Sequence, residues 1–207
     1  MLLQALGFAF ETRIKETDET YPPYLAEKSI ALFLAEKKAD AFLNELKRDE
    51  LLITADTIVW LENKMLGKPK DKHEAVKMLT EMSGKKHEVF TAVCLTDSSS
   101  KIIFSAASVV HFKKLSQSEI KYYVDNFNPL DKAGAYGAQE CLPAGMNPCS
   151  EEEMEFLEKT HRTELIQQIA NQAQRSPQVN IIEEIEGGFF NVMGLPIVEL
   201  HEALKNI

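Results

Sequence analysis

The feature that most constrains the fold is a run of apolar and β-branched residues, 51–60, with a carboxylate at its centre. Such a run predicts a buried β-strand. Asp56 lies in the middle of this strand, where an ionised carboxylate is costly to bury unless it is paired or binds a cation. Asp56 is therefore either a structural carboxylate that accepts backbone N–H groups at a strand end, or part of a functional site.

The residues that follow the strand favour a functional site. Thr57 supplies a hydroxyl next to Asp56, and Lys68 follows after a short turn, held between Gly67 and Pro69. A carboxylate, a hydroxyl and a lysine near one strand end suit metal-assisted attack on a phosphate. The sequence therefore predicts phosphate chemistry around Asp56.

Length and charge limit the classes of function. A chain of 207 residues is enough for one sizeable domain or two small lobes. Its formal net charge of −9 argues against a nucleic-acid partner, so the lysines near Asp56 are expected to act on a small anionic ligand. No apolar run reaches membrane-spanning length, and residues 1–6 lack the features of a signal peptide. We therefore expect no membrane partner and a cytoplasmic location.

The rest of the chain predicts alternating helices and strands. The three cysteines have no zinc-like spacing and are interpreted as reduced thiols. In chain order we expect a helix ending at Gly7, a strand at 8–14, helices at 22–46 and 71–82, strands at 88–95 and 101–112, a helix at 116–127, a long helix at 151–174, a closing hairpin at 179–192 and a helix at 196–205.

Residues 140–180 interrupt this rhythm. Ser150 and Glu153 form the pattern of a capping box, and Leu157, Leu165 and Ile169 recur at helical spacing behind it. This apolar stripe needs a surface to cover it. The body of the same subunit, where the segment would act as a flap on the site, and a second subunit are both open, as is a solvated, mobile arm.

An ordered set of short motifs spans most of the chain outside residues 140–180. The motifs are Asp18-Glu19, Leu34-Ala35 with Lys38-Ala39, Ala55-Asp56-Thr57, Leu66-Gly67-Lys68-Pro69, Glu74-Ala75 with Leu79, Ser83-Gly84 with His87, Thr91-Ala92-Val93, residues 131–137 with Gln139, and residues 191–196. With this ordered set, the chain resembles the Maf family of nucleotide pyrophosphatases, which is also known for an effect on septum formation.

The resemblance implies a fold and an activity. The fold is a two-lobed α/β structure with an elongated, twisted mixed sheet, flanking helices and a nucleotide cleft between the lobes. It covers residues 1–207 as one domain, with residues 140–180 as a helical insertion, and it is expected to form a homodimer. The activity is hydrolysis of a nucleoside triphosphate to the monophosphate and pyrophosphate, with Mg²⁺, Mn²⁺ or Co²⁺ as cofactor.

The resemblance also assigns roles to residues of this chain. Asp56 matches the catalytic aspartate, which binds the metal or activates water, and Glu19 matches an acidic residue near the metal. The form of the family that prefers dTTP and UTP carries a threonine where this chain has Thr57, whereas relatives acting on 7-methyl-GTP usually carry glutamine. The substrate-binding residues implied in this way are Lys38, Thr57, Lys68 and Gln139.

Several of these residues have a plainer interpretation. Lys37 competes with Lys38 for the phosphate, and Glu19 is also explained as an acid favoured at a helix N-terminus. Gln139 either caps a turn or pairs with the edge of a pyrimidine. His87 follows a turn and lacks a nucleophile partner, so we expect it to be structural.

Two departures from the family pattern suggest an alternative. Family members begin with a strand and a Ser-x-Ser-Pro-Arg-Arg loop that grips phosphate, and Met1 falls just after the place where that loop ends. Glu140 also replaces the glycine that usually follows the glutamine. The alternative is therefore a catalytically impaired nucleotide-binding or division-regulating protein. A pyrophosphatase that acts on a different base is a third hypothesis.

Overall fold

The computed structural model describes residues 2–143, 145–175, 180–205 and 207. Within these residues, five strands form one sheet in the order β2-β1-β3-β4-β5. None of the helices in this part of the chain combines the length and apolar character needed to cross a membrane. The strands are β1 Leu52–Leu61, β2 Lys64–Leu66, β3 Lys86–Thr96, β4 Lys101–Phe112 and β5 Ile182–Gly187.

Helices surround this sheet, and three single turns of 3-10 helix lie between them. The turns are Leu43–Glu45, Pro129–Asp131 and Ala133–Ala135. The helices are α1 Leu2–Ala5, α2 Lys28–Asp40, α3 Lys72–Met82, α4 Gln117–Asn126, α5 Ala138–Cys141, α6 Glu151–Lys159, α7 Glu164–Arg175, α8 Phe189–Val192 and α9 Ile197–Leu204.

The α/β class expected from the sequence is confirmed, but every strand pair among the described residues is antiparallel rather than mixed. Two of these pairs, β1 with β2 and β3 with β4, are joined by short turns, and tight turns can join only antiparallel neighbours. β1 turns into β2 through Glu62 and Asn63, which both have positive φ, as a hairpin of this length requires. β3 turns into β4 around Asp97, whose carboxylate accepts the N–H groups of Ser99 and Ser100.

The strand predicted at 51–60 is confirmed as β1. It pairs with β3 from Leu52, opposite Thr96, to Trp60, opposite Glu88. On its other side, β2 pairs only with the last three residues of β1, Val59 to Leu61. Among the described residues, no strand pairs with this second side of residues 52–58. This part of β1 is therefore an open edge.

The two faces of the sheet bury two separate apolar clusters. Because successive strand residues point to opposite faces, Ile58 and Phe90 pack beneath α2, whereas Val59 and Val89 join a larger cluster with α3 and the C-terminal helices. Two cores on opposite sides of β1 and β3 agree with the two-lobed fold that the resemblance implied.

Three predicted elements differ in the structure. The strand predicted at 8–14 is wrong, because these residues are exposed and have no regular structure. The helix predicted at 22–46 begins only at Lys28 and ends at Asp40. The second strand of the closing hairpin is wrong as well, because residues 189–192 form α8, whose first N–H groups bind the carboxylate of Glu153.

The long helix predicted at 151–174 is broken into α6 and α7. α6 ends at Lys159, and the hydroxyl of the following Thr160 donates to the carbonyl of Phe156. His161 comes next with φ of 56°, which is outside the helical region. The break brings both halves of the apolar stripe onto the main core. Phe156, Leu157, Leu165 and Ile169 are all buried there. The described part of the stripe is thus covered by the body of the same chain, and the mobile-arm interpretation is wrong for it; residues 176–179 lie outside the described residues.

This packing predicts a measurable contribution to stability. Leu157 is fully buried, so Leu157→Ala should lower the free energy of unfolding by about 2–5 kcal/mol through lost burial and an unfilled cavity. Guanidinium denaturation followed by circular dichroism measures this change. Glu152→Ala on the exposed side of α6 is the matched control and should stay within about 0.5 kcal/mol of the parent protein. Equal stability of the two variants would contradict the packing.

Candidate functional site

A pocket lies on the open edge of β1. Its cavity volume is about 300 Å³, within the range of small-molecule sites. Three consecutive strand residues, 55–57, form its floor. The other lining residues come from α2, β1, β3, the turn after β2, the segment 131–139, the end of α8 and the loop after it: Lys38, Val59, Lys68, Val89, Asp131, Lys132, Ala133, Tyr136, Gly137, Ala138, Gln139, Val192, Met193 and Gly194.

The open edge explains how neighbouring strand residues reach one pocket. Asp56 and Thr57 point to opposite faces of the sheet. Asp56 meets Lys38 of α2 on one face, and Thr57 meets Thr91 of β3 on the other, with 2.9 Å between the hydroxyl oxygens. A pocket over the middle of a sheet would reach only one of these faces. Here it wraps the strand edge and reaches both.

Asp56 is the most buried charged group of the pocket. Its side chain is 10% exposed, and it pairs with Lys38, whose side chain is 26% exposed. Burial raises the pKa of the Asp56 carboxyl, and the ammonium of Lys38 only partly opposes that rise. Burial alone would lower the pKa of Lys38, but the hydrogen bond and charge of Asp56, helped by Glu19, leave it raised. Lys38 is therefore held as an ammonium ion.

The two adjacent lysines of α2 are separated by the helix. Lys37 points away from the pocket, donating to the carbonyl of Thr20 at 3.0 Å and pairing with Asp18 at 3.2 Å. Lys38 alone of the two reaches Asp56. Of the two lysines between which the sequence left the choice open, Lys38 is the one that lines the pocket.

Glu19 shares the ammonium of Lys38. Its carboxylate lies 3.3 Å from Lys38 Nζ, so the two carboxylates of Glu19 and Asp56 converge on one cationic position. Within the described part of the chain, a group of three possible metal ligands occurs only elsewhere, on β4 and β5, where His111 hydrogen-bonds Glu186 at 2.7 Å beside Glu184.

Lys68 and Gln139 also line the pocket. Lys68 follows β2 in a turn that is tied to the opposite wall, because the carbonyl of Gly67 accepts the N–H of Gly134 at 3.1 Å. Gly134 has φ of 67°, and a Cβ there would lie 3.0 Å from Val59. Glycine at this position therefore lets the wall approach the strand closely.

Sequence reasoning did not assign the pocket-lining residues Lys132 and Tyr136. Lys132 is the third lysine of the pocket, and it pairs with Asp131 at 2.9 Å. Tyr136 donates or accepts a 2.8 Å hydrogen bond with His87 Nε2. Burial lowers the pKa of His87 to about 3, so this histidine is neutral and structural, as expected. The glycines around Tyr136 were the signal that this segment approaches a ligand.

The pocket has a charged side and an uncharged side. The charged side chains are those of Lys38, Asp56 and Lys68, near α2 and the turn after β2, together with Asp131 and Lys132. The uncharged side is formed by Thr57, by Val192 at the end of α8 and by residues 193–194 after that helix. Such a division suits a ligand with an anionic end and a neutral end.

The paired charges give a prediction that needs no assay of activity. Because Lys38 opposes the effect of burial on Asp56, Lys38→Met should raise the Asp56 pKa further. Carboxyl ¹³C shifts followed through a pH titration measure it. Lys37→Met is the matched control: it should leave Asp56 unchanged and instead raise the low pKa of Asp18, which Lys37 helps to depress. An Asp56 pKa that responds equally to both substitutions would contradict the geometry.

Comparison with known proteins gives the family. A family model described as Maf-like protein matches residues 1–146. The dTTP/UTP pyrophosphatase of Bacteroides thetaiotaomicron is 41% identical over 207 residues, which is 100% of this chain and 89% of that protein. That of Flavobacterium johnsoniae is 39% identical over 202 residues, 98% of this chain and 86% of that protein. The family model covers well over half of the sequence, and these relatives align through residues 140–180 as well; the chain belongs to the Maf family.

Proposed function

We propose that this protein is a nucleoside triphosphate pyrophosphatase that hydrolyses dTTP and UTP to the monophosphate and pyrophosphate. The observation that carries the proposal is the buried Asp56 carboxylate among lysines, at a pocket whose other side is uncharged. The relatives named dTTP/UTP pyrophosphatase support it, because they align over the whole chain.

The two sides of the pocket suit the two ends of a nucleotide. Lys38 and Lys68 are placed to neutralise a triphosphate on the charged side. The uncharged side, with Thr57 and Gln139, then takes the base and sugar. The volume of about 300 Å³ is at the small end of the range for ligand sites, in keeping with one nucleotide lying partly in solvent.

In the reaction, water attacks the α-phosphorus. Asp56 orients this water or accepts its proton, one new P–O bond forms, and the bond from the α-phosphorus to the bridging oxygen breaks. Charge develops on the leaving pyrophosphate, and the ammonium groups of Lys38 and Lys68 stabilise it. Asp56 is the catalytic residue of this proposal, and Lys38, Thr57, Lys68 and Gln139 are its substrate-binding residues.

The residues also fit a divalent cation. The ammonium of Lys38 already lies between the carboxylates of Asp56 and Glu19, so this position favours positive charge. Carboxylate oxygens are the ligands that hard cations such as Mg²⁺ prefer. We propose that Asp56 and Glu19 hold Mg²⁺, Mn²⁺ or Co²⁺. When bound, such an ion supplies charge neutralisation for the phosphates and Lewis acidity at the reacting phosphorus.

The wider expectations from the sequence stay predictions. We propose that residues 1–207 fold as one domain with 140–180 as an insertion, which agrees with the burial of the described part of that segment against the main core. A homodimer, a cytoplasmic location and the lack of a nucleic-acid partner rest on the resemblance and on the net charge.

The central test removes one charge. Asp56→Asn keeps the size of the side chain but cannot accept the proton or hold a cation well, so turnover of UTP should fall at least about a hundredfold. Pyrophosphate release from dTTP, UTP, CTP and GTP with each metal measures it, with circular dichroism to check the fold. Asp49→Asn, at an exposed aspartate, is the control. Turnover in Asp56→Asn equal to that control would reject the mechanism, and a parent protein that binds but does not turn over any triphosphate would favour the non-catalytic alternative.

The pH dependence follows from the direction of the Asp56 shift. The ionised carboxylate is the active form, and its pKa lies above the ordinary value of 3.8, so activity should fall with decreasing pH already above that value. Lys38 has a raised pKa and stays charged throughout the neutral range. The profile of kcat/KM for UTP reports the free protein. An acidic limb centred below 3.8, in protein that is folded at that pH, would contradict the assignment.

A further inference from the structure

We propose that Thr91, Asn191 and Glu153 are positioning residues that fix Thr57 as a hydrogen-bond acceptor on the uncharged side of the pocket, where it suits the imide N–H of a uracil or thymine ring. Thr91 and Asn191 fix this polarity, and Glu153 of the 140–180 segment holds Asn191 in place. The inference rests on the proposed function, which it extends from the triphosphate to the base. Glu153, Asn191 and Thr91 are positioning residues, because they act through Thr57.

The polarity of Thr57 follows from counting protons. A hydroxyl has one proton to donate and two lone pairs to accept with. Thr91 Oγ1 lies 2.7 Å from the backbone carbonyl of Asn191, and a carbonyl can only accept, so the proton of Thr91 is used there. In the 2.9 Å contact between Thr57 and Thr91, Thr57 must then be the donor. Its proton points into the protein, and its lone pairs are left for the pocket.

Asn191 cannot easily turn to release this arrangement. It is 1% exposed, and each polar atom of its side chain has a partner. Its amide nitrogen donates to the carbonyl of Val89 at 3.0 Å and to the hydroxyl of Ser108 at 2.9 Å. Its side-chain oxygen accepts the N–H of Thr91 at 3.1 Å. Rotation would leave buried polar atoms without partners, which is costly.

Glu153 anchors the short helix that carries Asn191. Glu153 is 3% exposed. Its carboxylate accepts the N–H groups of Phe189 at 2.9 Å and Phe190 at 2.8 Å, the first two residues of α8. It also accepts the N–H of Ser150 at 3.0 Å, the start of its own helix. A Cβ at Gly188 would lie 2.9 Å from this carboxylate, so the contact requires glycine there. One buried charge thus joins α6 to the helix behind the pocket.

The same helix leads into the uncharged wall of the pocket. Val192, Met193 and Gly194 follow Asn191 directly and line the cavity. Gly194 has φ of 96°, and a Cβ there would lie 3.2 Å from Thr57 Oγ1, so the wall passes close to the hydroxyl. The position of Asn191 therefore determines both the polarity of Thr57 and the surface beside it.

A fixed acceptor distinguishes the pyrimidine bases. Uracil and thymine carry an N–H between two carbonyl groups, whereas cytosine has an unprotonated nitrogen at the same ring position. The lone pair of Thr57 attracts the N–H of uracil and thymine and repels the unprotonated nitrogen of cytosine. Sites that place a hydrogen-bonding group against a substrate N–H discriminate more strongly than sites that rely on shape.

The first experiment frees the hydroxyl of Thr57. Thr91→Val keeps the shape of the side chain but removes the oxygen that receives the Thr57 proton. The preference for UTP over CTP, measured as the ratio of kcat/KM values, should fall by about tenfold or more, with a raised KM for UTP and a nearly unchanged kcat. Thr91→Ser restores the hydroxyl and should restore the preference. A parent-like preference in Thr91→Val would overturn the inference.

The second experiment acts from outside the pocket and does not disturb β3. In Glu153→Gln one oxygen becomes an amide nitrogen that cannot accept the N–H groups of α8, so the KM for UTP should rise several-fold while kcat changes little. Glu119→Gln is the matched control, because Glu119 completes the same kind of capping box at the start of α4. Equal KM values in these two variants would overturn the role of Glu153.

Binding measurements separate this inference from the proposed function. Calorimetry with the α,β-imido analogues of UTP and CTP gives the preference without turnover. If Thr91→Val abolishes a preference of the parent protein for the UTP analogue, the inference holds even if no triphosphate is hydrolysed and the proposed function fails. If turnover is observed but the binding preference is the same in both proteins, the proposed function stands and the inference is wrong.

Discussion

The site depends on where β2 stops. β2 ends at Leu66, because Gly67 and Pro69 follow, and proline has no N–H group to continue a ladder of strand hydrogen bonds. Residues 52–58 of β1 are consequently left without a partner on one side in the described part of the chain. An unpaired strand edge usually invites aggregation, and proteins commonly cover it. Here the edge is covered by the walls of a pocket, and both faces of the strand become available to one ligand.

This arrangement places opposite chemistry on the two faces of the strand. On one face, Asp56 is buried beside Lys38, and a buried ion pair of this kind contributes little or nothing to folding, because desolvation offsets the attraction. On the other face, Thr57 belongs to a network of neutral hydrogen bonds with Thr91 and Asn191, which makes that wall rigid. The charged face can respond to a phosphate and a cation, whereas the neutral face is set before the ligand arrives.

Local signals predicted much of the fold. The β-branched run around Asp56, the helix α3 and the two capping boxes depend on residues close in sequence, and all of them were confirmed. The resemblance also pointed to Lys38, Lys68 and Gln139, which all line one pocket in the structure. Sequence alone could not choose between Lys37 and Lys38, because that choice depends on how α2 is rotated on the sheet.

Two of the errors, at residues 151–174 and 189–192, have a common cause, which is contact between distant parts of the chain. Glu153 was recognised only as a residue that caps its own helix, yet the same carboxylate accepts the first N–H groups of α8 and converts a predicted strand into a helix. The break between α6 and α7 is likewise favoured because both halves then reach the main core. Such contacts leave no periodic pattern in the sequence.

The most direct test of the account is a crystal structure of the protein with the α,β-imido analogue of UTP and Mg²⁺. The account predicts that the triphosphate lies against Lys38 and Lys68 on one face of β1, and that the imide nitrogen of the uracil lies within hydrogen-bond distance of Thr57 Oγ1 on the other. A nucleotide bound away from the edge of β1, or bound there with its base against Asp56 and its phosphates against Thr57, would contradict it.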